Sequence, residues 1–155
     1  MCVSLLNIKQ LPRERILLKD RVGTESDLFD LVARTAGERD AALERRIRDR
    51  LARRHARRPV GLGSGLALPH AAVPGLTGTR AVFVRSAVPI PTASVDGHGI
   101  TEALALLVPM PGLASDYDLL MGLISLLTRP AARDALRKAR TTSEIQAFFI
   151  GEVQV

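Results

Sequence analysis

His70 is the residue of this chain best suited to chemistry. It closes the run GLGSGLALPH over residues 61–70. Gly61, Gly63 and Gly65 leave the backbone bare, so an anion could approach the peptide N–H groups around Ser64. Leu66-Ala67-Leu68 reads as a brief buried strand, which Pro69 ends, holding His70 at its exit. An imidazole fixed beside a potential anion nest points to phosphoryl chemistry, because its neutral nitrogen is a nucleophile near neutral pH. The competing reading is a tight helix-to-strand turn. The glycine spacing is neither a Walker loop nor a dinucleotide fingerprint: no Lys-Ser/Thr follows, and the third glycine comes one residue early. Ser64 is not centred as in a nucleophile elbow.

The elements that must hold His70 follow from periodicity. Residues 1–14 read as an irregular entry and Ile16-Leu17-Leu18 as a short edge strand. Thr24-x-x-Asp27 resembles a capping box, Leu28, Leu31 and Val32 keep helical spacing, and Gly37 suits a helix stop. A second helix spans about 38–57, with Leu43, Ile47 and Leu51 as its buried stripe. Its last turn carries Arg54 and His55 near the core-facing side, and the other arginines fall mainly on the wet face. After His70, residues 71–79 read as a loop and 81–84 as a strand. Residues 86–101 read as turns, including the hairpin-like Asp96-Gly97, and His98 there as an exposed turn residue. Ala103–Val108 is an uncharged inner strand. Ser115 caps a Leu-rich helix with Asp116 and Asp118 in its first turn. A helix from Pro130 to about Lys138 and a last one from Thr142 to Phe149 complete the chain. Strands and helices alternate, which predicts a single α/β domain over residues 1–155: a mixed β-sheet flanked by helices on both faces.

Composition narrows the function. The chain has 155 residues, enough for a real core, with 46% hydrophobic residues. Aromatics are only 3% and Trp is absent, which argues against base stacking. Cys2 is the lone cysteine, so no internal disulfide is possible. No apolar stretch could span a bilayer and no export signal opens the chain, so a soluble cytoplasmic protein is expected. The net charge is +6, and eight arginines crowd residues 45–58. That run is either a nucleic-acid footprint or a solvated helix face. No reader motif accompanies it, and nucleic acid is not the expected partner.

Arg54 through His70 resembles the signature of the type-2 enzyme IIA domains of the bacterial sugar phosphotransferase system, R-E-x-x-x-S-T-G-I-G-x-G-I-A-I-P-H. The leading arginine, three glycines, Ala67, Pro69 and His70 fall in register. The resemblance continues through Asp96-Gly97, the strand ending at Pro109, the Leu-rich helix at 119–127 and the closing Thr-Ser-Glu-Ile helix. It implies a phosphocarrier in which His70 accepts a phosphoryl group from a small HPr-like carrier protein. Arg54 would stabilise the phosphoryl oxygens, and N–H groups of Gly61, Gly63, Ser64 and Gly65 would add donors. No metal or organic cofactor is implied. The acceptor is a IIB domain or a regulated protein. With no IIB, IIC or carrier domain in the chain, the nitrogen-regulatory kind leads. A IIA subunit for fructose- or mannitol-type transport is the alternative, and a degenerate binding module without phosphotransfer is a third reading. Three departures bear on that choice: His55 stands for the family's Glu, Pro59-Val60 for its Ser-Thr, and Asp116 for a second histidine. Asp116 would either repel phosphate or orient His70, and His55 would either replace the lost histidine or act as a helix-end residue.

Overall fold

The structure, a computed structural model, describes residues 2–3, 5–92, 96–151 and 153–154. In chain order the elements are β1 (Cys2–Val3), β2 (Ile16–Leu17), α1 (Glu25–Gly37), α2 (Ala41–Arg57), β3 (Gly61–Gly63), β4 (Leu66–Ala67), β5 (His70–Val73), β6 (Arg80–Ile90) and β7 (Ile100–Pro109). They are followed by α3 (Ala114–Leu127), α4 (Pro130–Lys138), α5 (Thr142–Ile150) and β8 (Val153–Gln154). The expected irregular entry holds β1, which pairs antiparallel with β8 at the other end of the chain.

The uncharged run Ala103–Val108 is the middle of β7, the strand on which the main sheet is built. The order is β2-β6-β7-β4-β3, with β5 also on β7. β6 pairs antiparallel with β7, while β4 and β5 both pair parallel to it. Leu66 faces Glu102 and His70 faces Leu106, the same register offset. The segment 66–73 is therefore one strand line, interrupted at Leu68-Pro69 because proline offers no N–H to a ladder. The expected loop at 71–79 accordingly begins only after Val73. The expected turns at 86–101 give way to the far ends of β6 and β7, where Ile90 still pairs with Ile100. Residues 93–95 of that stretch lie outside the described residues.

Alternation along the central strands sorts the core into two layers. Val82, Val84, Ala103, Ala105 and Leu107 pack with Leu28, Val32, Leu43, Ile47 and Leu51 of α1 and α2. Ala81, Phe83, Leu104 and Leu106 pack with Leu123, Leu127, Leu136, Ile145 and Phe149 of α3 to α5. Helices thus cover both faces of a mixed sheet, as the sequence predicts.

Helix starts follow local chemistry. The Thr24 hydroxyl accepts from Asp27 N at 3.0 Å, and the Asp40 carboxylate accepts from Leu43 N at 3.1 Å. Two expectations shift. Gly37 stays helical, and the left-handed residues that end α1 are Glu38 and Arg39; glycine is needed at 37 because a Cβ there would run into Glu44 of α2. The residue before α3 is Leu113, not Ser115, and its N–H is satisfied by the Asp116 carboxylate at 2.8 Å.

Arg85 ties the sheet to α4. Its guanidinium meets the buried Glu102 carboxylate at 2.7 Å and donates to the carbonyls of Ala139 and Leu136 at 2.6 and 2.9 Å. Arg85→Leu strands a buried carboxylate and two carbonyls, so it should cost about 3–5 kcal/mol in urea unfolding. A loss below about 1 kcal/mol would show that this pair is not structural.

Candidate functional site

His70 opens β5 directly after the Pro69 interruption. Its Nδ1 lies 2.8 Å from the Leu68 carbonyl oxygen. A carbonyl can only accept, so Nδ1 carries the proton and Nε2 of the neutral ring keeps a free lone pair. The ring is half-buried. Burial pushes its pKa down from the usual 6.5, the Leu68 hydrogen bond opposes this, and the positive Arg54 adds to the lowering. The ring is therefore neutral, and nucleophilic, at neutral pH.

His70 stands in a pocket of about 470 Å³. Leu106, Val108 and Leu120 give it an apolar lining. One wall is α2, which presents Arg50, Arg53, Arg54 and Arg57. The spacing i, i+3, i+4, i+7 puts all four on one helical face. Arg50 and Arg54 are half-buried, and Arg53 and Arg57 are exposed. Among the described residues, none of the four forms an ion pair with a carboxylate. Arg54 spends one N–H on the Arg58 carbonyl at the helix end, at 2.9 Å. The start of α3 lines it too, with Leu113, Asp116 and Tyr117.

The structure brings His70, Arg54 and Asp116 together and leaves the other candidates apart. Asp116 lines the pocket, but both its oxygens are engaged elsewhere: one accepts from Leu113 N, the other from the Thr79 hydroxyl at 3.2 Å. The group that orients His70 is Leu68, not Asp116. His55 is turned to α1. Its Nε2 meets Glu25 at 2.7 Å and its ring stands edge-on to Phe29, with centroids 5.5 Å apart. It does not line the pocket.

Gly61, Gly63, Ser64 and Gly65 do not line it either. They form the β3–β4 hairpin, with left-handed backbone at Gly63, Ser64 and Gly65 (φ 85°, 56° and 81°). The Ser64 N–H, expected to receive a phosphoryl oxygen, instead binds the Asp96 carboxylate at 2.6 Å. Ser64 also accepts from Arg133 and Arg137 of α4. The anion nest exists, and a carboxylate of the chain itself fills it.

The residues that sequence reasoning missed are Arg50, Arg53 and Arg57, together with Leu113 and Tyr117. The arginine spacing carried the signal, since it defines a second face of α2 beside the Leu43-Ile47-Leu51 line. Among the described residues, no group of three or more His, Cys, Asp or Glu side chains is placed to hold a metal ion. No helix there is long and apolar enough to cross a membrane.

Two measurements check this geometry. Nitrogen NMR should find the Nδ1–H tautomer of His70 at neutral pH and a titration midpoint below 6.5. Arg54→Gln should move the midpoint upward; a wild-type midpoint at or above 6.5 would overturn the burial argument. The same sign governs stability. Below 6.5 the unfolded chain takes up a proton that folded His70 refuses, so the residue works against folding as pH falls through that window. Gly65→Ala tests the hairpin. A Cβ there meets Thr101 Oγ1 at 2.7 Å in a left-handed conformation. The variant should lose about 1–3 kcal/mol of stability yet leave the His70 titration unmoved.

Comparison with known proteins identifies the family. Residues 9–151 match the family described as phosphoenolpyruvate-dependent sugar phosphotransferase system, EIIA 2. The chain is 28% identical to a nitrogen regulatory protein of Pseudomonas aeruginosa, over 95% of this chain and 88% of that one. It is also 28% identical to a fructose-specific EIIA component of Haloferax volcanii, over 87% and 88% of the two chains. Its fold is similar to the crystal structure of nitrogen regulatory protein IIA-Ntr from Neisseria meningitidis, with TM-score 0.83 and 25% identity over 91% of this chain and 97% of that one. The chain therefore belongs to the EIIA 2 family of the phosphoenolpyruvate-dependent sugar phosphotransferase system.

Proposed function

We propose that the chain is a cytoplasmic phosphocarrier of the nitrogen-regulatory kind, with His70 Nε2 as the acceptor of the phosphoryl group. The observation that carries this reading is the 2.8 Å contact between His70 Nδ1 and the Leu68 carbonyl inside an arginine-walled pocket. It supports the Nδ1–H tautomer, which keeps the Nε2 lone pair free in a pocket that Arg50, Arg53, Arg54 and Arg57 line.

The donor is a phosphohistidine on a small carrier protein. Nε2 attacks phosphorus, the new N–P bond forms, and the donor's N–P bond breaks. The donor ring holds its proton on its other nitrogen, so it leaves as neutral imidazole. His70 keeps its Nδ1 proton and becomes a phosphorylated imidazolium, whose positive charge the Leu68 carbonyl stabilises. No proton needs to move, and the step is readily reversible toward an acceptor, a IIB domain or a regulated protein. The transition state is loose and highly charged, so the protein's task is positioning and charge stabilisation. Arg54 is placed for that: it is half-buried, lines the same pocket and acts electrostatically on His70.

The regulatory reading rests on the nitrogen-regulatory relatives; the fructose-specific relative keeps the transport reading open. A carboxylate at 116 in the pocket favours a third reading, a module that binds partners without carrying phosphate. Incubation with phosphoenolpyruvate, enzyme I and the cognate carrier decides between them. Acid-labile phosphate should appear on the wild type and vanish in His70→Ala. Arg54→Gln should transfer about 10²-fold more slowly, in the range for loss of one pre-organised donor. No label on the wild type, with a competent carrier present, would favour the binding module.

A further inference from the structure

We infer that the outward face of α2 binds the phosphate backbone of duplex nucleic acid, without regard to base sequence. The inference stands on charge and surface chemistry and does not rest on the phosphocarrier reading.

The first observation is where the charge sits. Residues 44–58 hold eight of the 22 basic residues and two of the 16 acidic ones. The rest of the chain is balanced at fourteen of each, so the whole net charge of +6 lies on this one segment. Within it, Arg46, Arg50, Arg53 and Arg57 follow the spacing i, i+4, i+7, i+11, which sets them in one stripe along the helix. At 1.5 Å per residue the stripe is about 16 Å long. Arg53 and Arg57 are exposed, and Arg46 and Arg50 are half-buried. Arg45 and Arg58 flank the stripe as further exposed cations. Among the described residues, Arg48 alone of the eight arginines has an ion pair, with Asp30 of α1. Like charges at this spacing weaken a helix, and nothing within the chain offsets them.

The second observation is what accompanies the charge. Every exposed apolar residue of α2 is an alanine, and the large hydrophobic side chains exposed among the described residues all lie outside it. A stable protein contact needs an apolar or aromatic centre, which this face does not supply. A phosphate backbone needs only cations, because its affinity comes from released counterions. Duplex nucleic acid carries one charge per 1.7 Å, so a stripe of about 16 Å runs past about nine phosphates. With aromatics at 3% and no Trp, base stacking on single strands has no platform. Leu43, Ile47 and Leu51 hold the inner side of α2 in the core, so the helix cannot sink into a groove to read base edges. The missing reader motif that speaks against nucleic acid in the sequence bears on base recognition alone. One carboxylate interrupts the face. Asp49 is exposed, lies four residues from both Arg45 and Arg53, and pairs with neither.

Fluorescence anisotropy with two labelled DNA duplexes of unrelated sequence tests this face. The wild type should bind both alike, with Kd between about 10⁻⁶ and 10⁻⁴ M at about 50 mM salt, and lose about a hundredfold by about 200 mM, as four phosphate contacts require. Arg46→Gln/Arg53→Gln/Arg57→Gln should bind at least about tenfold more weakly and flatten the slope of log Kd against log salt by about two to three. Lys9→Gln/Lys138→Gln/Arg140→Gln removes the same charge from exposed residues on the side of the sheet that α3 to α5 cover, and should stay within about threefold of the wild type. Asp49→Asn should bind about two- to threefold more tightly, the effect of removing one like charge about 7 Å away in water. A gain of this kind cannot come from unfolding. Absence of binding at the lower salt overturns the inference. An equal loss in the two triple variants also overturns it, because net charge alone would then be the cause. So does an Asp49→Asn variant that binds no better than the wild type. An affinity that differs about tenfold or more between the two duplexes overturns the sequence-independent mode. Poly-glutamate of equal charge bound as tightly as the duplex overturns the inference in favour of an acidic protein partner.

Discussion

One backbone parity governs the site. In a parallel ladder, alternate residues turn both their polar groups toward the same neighbour. Gly65 and Pro69 turn their carbonyls to β7, where they accept from Glu102 and Leu106 at 3.0 and 2.8 Å. Leu68 is out of phase with them. Its N–H goes the other way, to the Val60 carbonyl at 3.0 Å. Its carbonyl also faces away from β7, and the His70 ring takes it. Pro69 matters because it interrupts the line without breaking the register, so β5 resumes in step with β4. A one-residue slip would send the Leu68 carbonyl into the sheet and the His70 side chain to the opposite face.

The fold was largely legible because its signals are local or periodic. The Leu43-Ile47-Leu51 stripe, the Thr24 cap and the charge-free run in β7 each depend on residues close in the chain. What stayed hidden depends on pairing between distant segments. Nothing near residue 71 shows that Ala71–Val73 continue a strand; only β7, some thirty-six residues later, makes them one. The cap of α3 was misplaced for a similar reason. Leu113 has no capping oxygen, and Asp116 reaches back to supply it.

At the site, the sequence placed His70 and Arg54 correctly in one neighbourhood and misplaced the glycines. Their left-handed backbone does make a nest, but a turn exposes its N–H groups to whichever anion lies nearest in space. That anion is Asp96, from the β6–β7 connection. The arginines illustrate the opposite error. Along α2, Arg50, Arg53, Arg54 and Arg57 fall to one flank of the buried line, while His55 falls to the other. The two flanks meet different neighbours: one faces the β5 pocket, the other faces Phe29 and Glu25 of α1. Helical phase separates the flanks, but only the tertiary arrangement says which one is functional.

The two helix ends at the pocket explain how its charge is distributed. The C-terminal end of α2 carries partial negative charge and the N-terminal end of α3 partial positive charge, the latter well suited to phosphate. Side chains reverse both. Arg54 and Arg57 cover the end of α2, and Asp116 takes the free N–H at the start of α3. Asp116 brings a carboxylate to the α3 side of the pocket, so the positive charge there comes from the α2 arginines. With its carboxylate held by the Leu113 N–H and the Thr79 hydroxyl, Asp116 adds a negative group to the pocket that the four arginines line. The cleft is thus cationic along α2 and carries a carboxylate at the start of α3.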